Sequence, residues 1–454
     1  CVDAGSNDYV EVETDLAGNP RIGNNTVDMG AYEGGVEGFV ISGWIQGKGL
    51  LSPMTAVVAP GGSATFTATA TYAAFRHFEI DGVVVSDSSS YTWENIQADG
   101  VITAVFEPTT WYVAASRPDD GGDGFTWQTA KKTIQAAIDA AEDDDTILVK
   151  GGTYSPIDAA NKVIAIRSIN GAKKTIIDGG GVERCATLSG YGSEYNTILD
   201  GFTLRNGYAG DGGGASGGTL TNCTLTGNTA EYGGGASGCI LINCTLARNF
   251  ARTVEDGYTF WGWGGGVDDC TLTNCTLTGN QALKGGGAAG STLTNCILTS
   301  NKAVAGYYYD DSFGGGAYSC TLTNCTVSNN SGRNGSGVSD CTLNNCIVWG
   351  NSGGNYVDSM FSYSCTSPLP SEDSGNICED PQFVAAENGD FRLRAISPCV
   401  NAGSNEFVVA ETDLAGHPRI SGDRVDMGAY EGGIFVIIGQ VQGQGKIVPS
   451  RAEA

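Results

Sequence analysis

TLTNCTLTGN at residues 219–228 is followed by four residues and then by Gly233, Gly234 and Gly235. The same unit returns as ILINCTLARN at 240–249, TLTNCTLTGN at 271–280, TLTNCILTSN at 292–301, TLTNCTVSNN at 321–330 and TLNNCIVWGN at 342–351. With the central residue as marker, the column reads Phe202, Cys223, Cys244, Cys275, Cys296, Cys325 and Cys346, at spacings of 21, 21, 31, 21, 29 and 21. Three residues before the marker stand Leu220, Leu241, Leu272, Leu293, Leu322 and Leu343; two after it stand Leu225, Leu246, Leu277, Leu298, Val327 and Val348. Both sets keep step with the marker, so one apolar wall runs the length of the array.

Immediately before the marker is Asn222, Asn243, Asn274, Asn295, Asn324 or Asn345, with Gly201 in the first coil. Asn and Gly tolerate left-handed backbone, which makes this a sharp bend between two short strands. The bend accounts for the change of parity from leucine and asparagine to cysteine and leucine, since both strands must aim apolar side chains into one bore. A second column, Asn228, Asn249, Asn280, Asn301, Asn330 and Asn351, is placed to hydrogen-bond along the axis at a turn. Stacked parallel coils about 4.8 Å apart satisfy all of this. A leucine-rich horseshoe does not, because its LxxLxLxxN spacing is absent.

Outside the coils a longer period appears. Residues 1–35 recur at 399–433, an offset of 398 with 25 of 35 positions identical. Gly43, Gly47, Gly49 and Pro53 then match Gly439, Gly443, Gly445 and Pro449 after a two-residue gap. The expected layout is therefore a tandem array: residues 1–35 as a cap motif belonging to a preceding copy, 36–108 as a small antiparallel β module, 109–433 as the β-helix, and 434–454 as the start of the next module. Within the β-helix, 109–150 forms the N-terminal cap, 197–356 the regular coils and 376–433 the C-terminal cap. Ile134, Ala137, Ile138 and Ala141 share one helical face, predicting a helix from near Thr126 to the acidic run Glu142–Asp145 that covers the first coil. The C-terminal motif is expected to wrap the open end of the last coil.

Four resemblances bear on this layout. FVISGWIQGKGLLSP, GSATFTATATY and VITAVFEP resemble divergent internalin-type B-repeat modules, which implies a spacer or stalk. WYVAASRPDDGGDGFTWQTAKKTIQAAIDAAEDDDTILVKGGTY at 111–154 resembles the N-terminal cap of pectate-lyase-like right-handed parallel β-helices, and the GGG-turned coils resemble polymorphic outer-membrane adhesin repeats. NICEDPQF at 376, SPCVNAGSN, TDLAGHPRI and VDMGAYE resemble the choice-of-anchor Q region of bacterial exported proteins, implying surface display or secretion.

With a formal net charge of -26 the chain repels phosphate backbones, so nucleic acid is excluded as a partner. No run of 18 apolar residues and no secretory leader is found, and Cys1 has its counterpart Cys399 inside the chain, against a lipidated terminus. Catalysis is not expected. The only histidines are His77 in the small module and His417, which is replaced by Asn19 in the other copy.

The two long coils insert Phe250–Trp263 and Lys302–Phe313 at one corner. They carry Tyr258, Phe260, Trp261, Trp263, Tyr307, Tyr308, Tyr309 and Phe313 with Asp256, Asp310 and Asp311. Rings beside carboxylates suit sugar stacking or contact with a neighbouring module; packing of the loops on themselves is the alternative. Asp119, Asp120 and Asp123 form either a calcium loop or a solvated turn. The marker cysteines pack as small apolar residues, whereas Cys239 with Cys270 and Cys320 with Cys341 stand on adjacent coils where axial disulfides are possible. The four NCT triplets follow from the bend asparagines. The expected role is an extracellular or cell-surface structural or adhesive repeat whose partners are neighbouring copies of itself and surface polysaccharide. Carbohydrate binding is the alternative, and a polysaccharide lyase or hydrolase the second.

Overall fold

The computed structural model describes residues 5–14, 21–22, 26–27, 29, 38–71, 73–159, 161–189, 196–255, 258–305, 312–371, 374–433, 436–438 and 451–453. It divides into two units, 1–109 and 110–454.

Each regular coil gives one strand to each of three walls. In the first ordinary coil these are Thr219–Thr221, Thr224–Thr226 and Ala236–Ser237. Among the described residues the walls hold eleven, ten and nine strands, joined throughout by parallel pairing. Leu220, Leu241, Leu272, Leu293, Leu322 and Leu343 are partners in one register, and all are fully buried. The molecule is a right-handed parallel β-helix with a small, mainly antiparallel module.

The bend asparagines are left-handed, with φ between 52° and 55° from Asn222 to Asn345 and 81° at Gly201. One residue on, the marker cysteines are 0–2% exposed. Their role exceeds filling space. The Cys223 N–H donates to Cys244 Sγ at 3.4 Å, and Cys244, Cys275, Cys296 and Cys325 repeat the bond to the next coil. Each thiol thus takes up an N–H that the bend turns away from the strand ladder. Where the column ends, Ser364 Oγ takes the N–H of Cys346 at 2.9 Å.

The second asparagine column forms an uninterrupted amide ladder. Asn228 Nδ2 donates to Asn249 Oδ1 at 3.0 Å, and the pattern continues through Asn280, Asn301 and Asn330 to Asn351. Every Nδ2 also donates to a leucine or valine carbonyl of the preceding coil. From Asn228 to Asn330 these side chains are fully satisfied while buried, as the low dielectric of a bore demands.

At the N-terminal end, helix α1 spans Ile134–Ala140, with Thr133 Oγ1 accepting from the Ala136 N–H. The expected start near Thr126 is displaced by eight residues, to Ile134. Gly124 to Lys131 are engaged by the first strand instead: Tyr112 donates to the Gly124 carbonyl and accepts from the Lys131 N–H, and Phe125 packs on Trp111 at 4.7 Å. Ile134, Ala137, Ile138 and Ala141 face the core as expected and cover the first coil.

At the other end, Ile377 continues the last coil by bridging Cys365. The rest of the C-terminal segment departs from the expectation that it wraps the open end: it lies along the flank. Asn345 exchanges two hydrogen bonds with Ser404, Asn295 Nδ2 donates to the Thr412 carbonyl, and Ala429 N–H donates to Thr326 Oγ1. The cause is a change in the outward position after the marker. Thr224, Thr245 and Thr276 are only half-buried, whereas Ile297, Thr326 and Ile347 are 5%, 1% and 1% exposed beneath this segment.

Within the segment, Arg419 is 1% exposed and donates to the carbonyls of Asp426 and Gly428, with Glu431 Oε2 at 3.9 Å. Asp413, Asp426 and Glu431 are buried around it and accept backbone N–H groups. Burial holds the Asp426 and Glu431 carboxyls above their ordinary range.

Unit 1 repeats part of this geometry. Gly5 to Val27, Val27 to Asn7 and Arg21 to Glu13 form the bonds that Gly403 to Val425, Val425 to Asn405 and Arg419 to Glu411 form 398 residues later. Met29 is 61% exposed, whereas its counterpart Met427 is fully buried. The β module has a five-stranded sheet and a three-stranded sheet around Ile41, Phe66, Phe78 and Ile102. Among the described residues its one parallel pair joins Phe39–Gln46 to Gly100–Phe106.

Candidate functional site

The second asparagine column and the triple glycines define one corner of the coil. The first glycine of a triplet is left-handed, as at Gly233 and Gly264, and at the second the next coil's backbone leaves no room for a Cβ. The chain therefore turns tightly, and the residue just before each triplet stands at its outer edge. Those residues are Asp211, Tyr232, Trp263, Lys284 and Phe313, with Asn334 before Gly335-Ser336-Gly337, bridged in parallel register from coil to coil.

Three of the six carry rings, at intervals of about 4.8 Å per coil. Tyr232 and Trp263 are 38% and 43% exposed, with centroids 6.3 Å apart in a T-shaped arrangement. Tyr318, from the neighbouring wall, lies 6.1 Å from Trp263 and 6.4 Å from Phe313. Lys284 Nζ sits among them, 5.1 Å from the Trp263 ring, 5.6 Å from Phe313 and 4.7 Å from Tyr318, and donates to the Tyr318 hydroxyl at 3.3 Å. The rings hold the ammonium by cation–π attraction, and Tyr232 and Trp263 stay partly exposed.

Carboxylates flank the stripe. Burial, followed by the charges of Asp269 and Asp211, pushes the Asp268 carboxyl up to about 6. At the same corner, Tyr208, 44% exposed, borders a cleft of about 540 Å³ with Asp178, Asn206, Thr229 and a floor of Gly180, Gly181, Gly207 and Gly227. Burial works against ionisation of Asp178, but hydrogen bonds from Asn206, Gly180 and Arg205 hold its carboxyl below the usual range.

Of the residues expected to bind, Trp263 and Phe313 belong to this stripe. Tyr258, Phe260 and Trp261 lie on a hairpin strand, Tyr258–Trp261, paired antiparallel with Phe250–Glu255. Asp256, Tyr307, Tyr308, Tyr309, Asp310 and Asp311 lie outside the described residues. Tyr232 and Lys284 stand in ordinary coils and Tyr318 in a wall, so no departure from the repeat marks them in the sequence. Position before the triple glycine was the signal for the first two.

The structure does not gather Asp119, Asp120 and Asp123 into one ligand set: among the described residues no three Asp, Glu, His or Cys side chains do so. Asp119 accepts from the Gly121 N–H, Asp120 from Lys132 and Thr133 at the start of α1, and Asp123 from Phe125 and Thr129. The fourteen described cysteines are free thiols. Cys239 N–H donates to Cys270 Sγ, and Cys320 N–H to Cys341 Sγ; Ser291 stands between the two pairs and completes one column.

Residues 210–366 match the family model for a right-handed β-helix region. The chain carries that fold. Pectate lyase Pel9A is 15% identical, with a TM-score of 0.44 over 72% of this chain and 96% of its own. The GH136 lacto-N-biosidase from Eubacterium ramulus is 12% identical, with a TM-score of 0.34 over 57% and 60%. A rhamnogalacturonan lyase is 13% identical, with a TM-score of 0.33 over 66% and 97%. These similarities assign neither reaction nor substrate to this chain. No curated protein sequence matches it. Among the described residues no helix is long and apolar enough to cross a membrane.

Proposed function

We propose that this chain is a non-catalytic repeat of a bacterial surface or secreted protein, and that its β-helix binds polysaccharide along the corner stripe. The observation that carries the reading is the register of Tyr232, Trp263, Lys284 and Phe313 with Tyr318 alongside. Sugar rings stack on exposed aromatic faces, and hydroxyls bond to flanking carboxylates and amides. An extended glycan spans several coils, so affinity accumulates from weak contacts at successive rungs. Head-to-tail copies, as the 398-residue offset suggests, would multiply the same stripe.

A glycan array tests the reading, with Trp263→Ala and Lys284→Ala as controls; each removes an anchor of the kind that dominates binding. Retention by the parent chain and its loss in both variants supports it. Equal retention by all three refutes it. One feature favours the second reading, polysaccharide cleavage: the Asp268 carboxyl, which burial pushes up to about 6, lies beside the rings. Turnover of pectin, alginate or chondroitin that vanishes in Asp268→Asn would replace binding with catalysis.

A further inference from the structure

Cys365 differs from the cysteines of the bore. The bore position of its coil is taken by Ser364, and Cys365 instead continues the outward column of Ile297, Thr326 and Ile347 against which the C-terminal segment packs. Across that contact is Cys399. Both are fully buried in one cluster with Ile347, Leu393 and Met427, where Cys365 Sγ donates to the Glu379 carbonyl at 3.2 Å. Among the described residues neither sulfur accepts a backbone N–H, so joining them takes no acceptor from the fold, unlike closure of a bore pair. Cys378 follows Ile377, which bridges Cys365, and is the exposed cysteine among those described.

We propose that Cys365 and Cys399 form a disulfide that fastens the C-terminal segment to the last coil, with Cys378 as the thiol through which it is made. The oxidant is a low-molecular-weight disulfide. Cys378 thiolate attacks it, forming a mixed disulfide and releasing one small thiol. Cys365 thiolate then attacks the Cys378 sulfur, releasing the second. Cys399 thiolate attacks Cys365, and Cys378 leaves as thiolate. Two protein thiols lose two electrons and two protons, and one small disulfide becomes two thiols. The first attack falls to Cys378 because the thiolate is the nucleophile and access controls the rate. The neighbouring Cys399 thiol, and then burial, suppress the Cys365 thiolate, so the closed link is slow to form and slow to reduce.

The test uses the full chain incubated with oxidised glutathione, blocked with iodoacetamide under denaturing conditions and mapped without reduction. A Cys365–Cys399 peptide is expected, with slower proteolysis of residues 400–433 than in the reduced chain. Cys399→Ser should abolish both effects. Cys378→Ser should reach the same linkage about tenfold more slowly. Alkylated Cys365 and Cys399 after oxidation, or Cys378 linked while Cys399 stays free, overturns the staple. An unchanged rate in Cys378→Ser overturns the relay.

Discussion

Replacing Asn280 by Ala tests whether the amide ladder holds the coils together. The side chain is fully buried and makes four hydrogen bonds: Nδ2 to the Leu246 carbonyl and to Asn301 Oδ1, both at 2.9 Å, and Oδ1 from the Asn249 N–H and Nδ2 at 2.9 and 3.0 Å. At about 1 kcal/mol net for each bond, the loss is about 4 kcal/mol, and an Asn249 N–H left facing a void adds to it. The matched control is Asn243→Gly, at an exposed bend where φ is 54° and where Gly201 already serves one coil. Glycine removes no backbone conformation there, so the change should be a few tenths of a kcal/mol. Coils contact mainly their neighbours, so the loss is local and is best read by native-state amide exchange. About 4 kcal/mol corresponds to a roughly 1,000-fold faster exchange in the two adjoining coils, with little change at α1. Equal exchange in the two variants would refute the ladder's role.

The Asp268 carboxyl, lifted to about 6, is charged more readily when the chain unfolds. A raised acid withdraws stability as pH rises from about 4 through 6, so Asp268→Asn should raise the melting temperature at pH 8 and leave it nearly unchanged at pH 4. The ceiling is ~3 kcal/mol, less solvent screening, and a larger gain at pH 4 than at pH 8 would reverse the assignment. Arg419→Met leaves Asp413, Asp426 and Glu431 buried without their cation, at a cost of about 3–5 kcal/mol. Faster proteolysis of 399–433, more pronounced at pH 8 than at pH 5, is the expected readout; unaltered cleavage would show that the cluster is dispensable.

Most of this fold is legible in the periodicity of the sequence. Bends, bore and amide ladder each repeat in every coil, so six copies of one residue type at one offset determine their geometry. The helix start failed for a local reason: Thr126 to Lys131 look helical in isolation but are engaged by the first strand. Flank docking was written in Ile297 and Ile347, where earlier coils have threonine, yet a single-site change inside a repeat reads as ordinary variation. The site was half legible. Trp263 and Phe313 stood out because their coils are long, whereas Tyr232 and Lys284 required the corner's geometry, and Tyr318 reaches the stripe from another wall.

The two long coils exceed the ordinary 21 residues by 10 and 8, yet the strands on either side pair in unbroken register. Extra chain leaves and rejoins the stack between the buried asparagine and the triple glycine, which together clamp the two ends of the loop. Length at this corner is thereby uncoupled from pitch. The helix behaves as a ruler on which different loops are mounted at fixed graduations, and foreign peptides grafted between Asn228 and Gly233 would be displayed in line with Trp263 and Phe313 at a spacing set by the backbone alone.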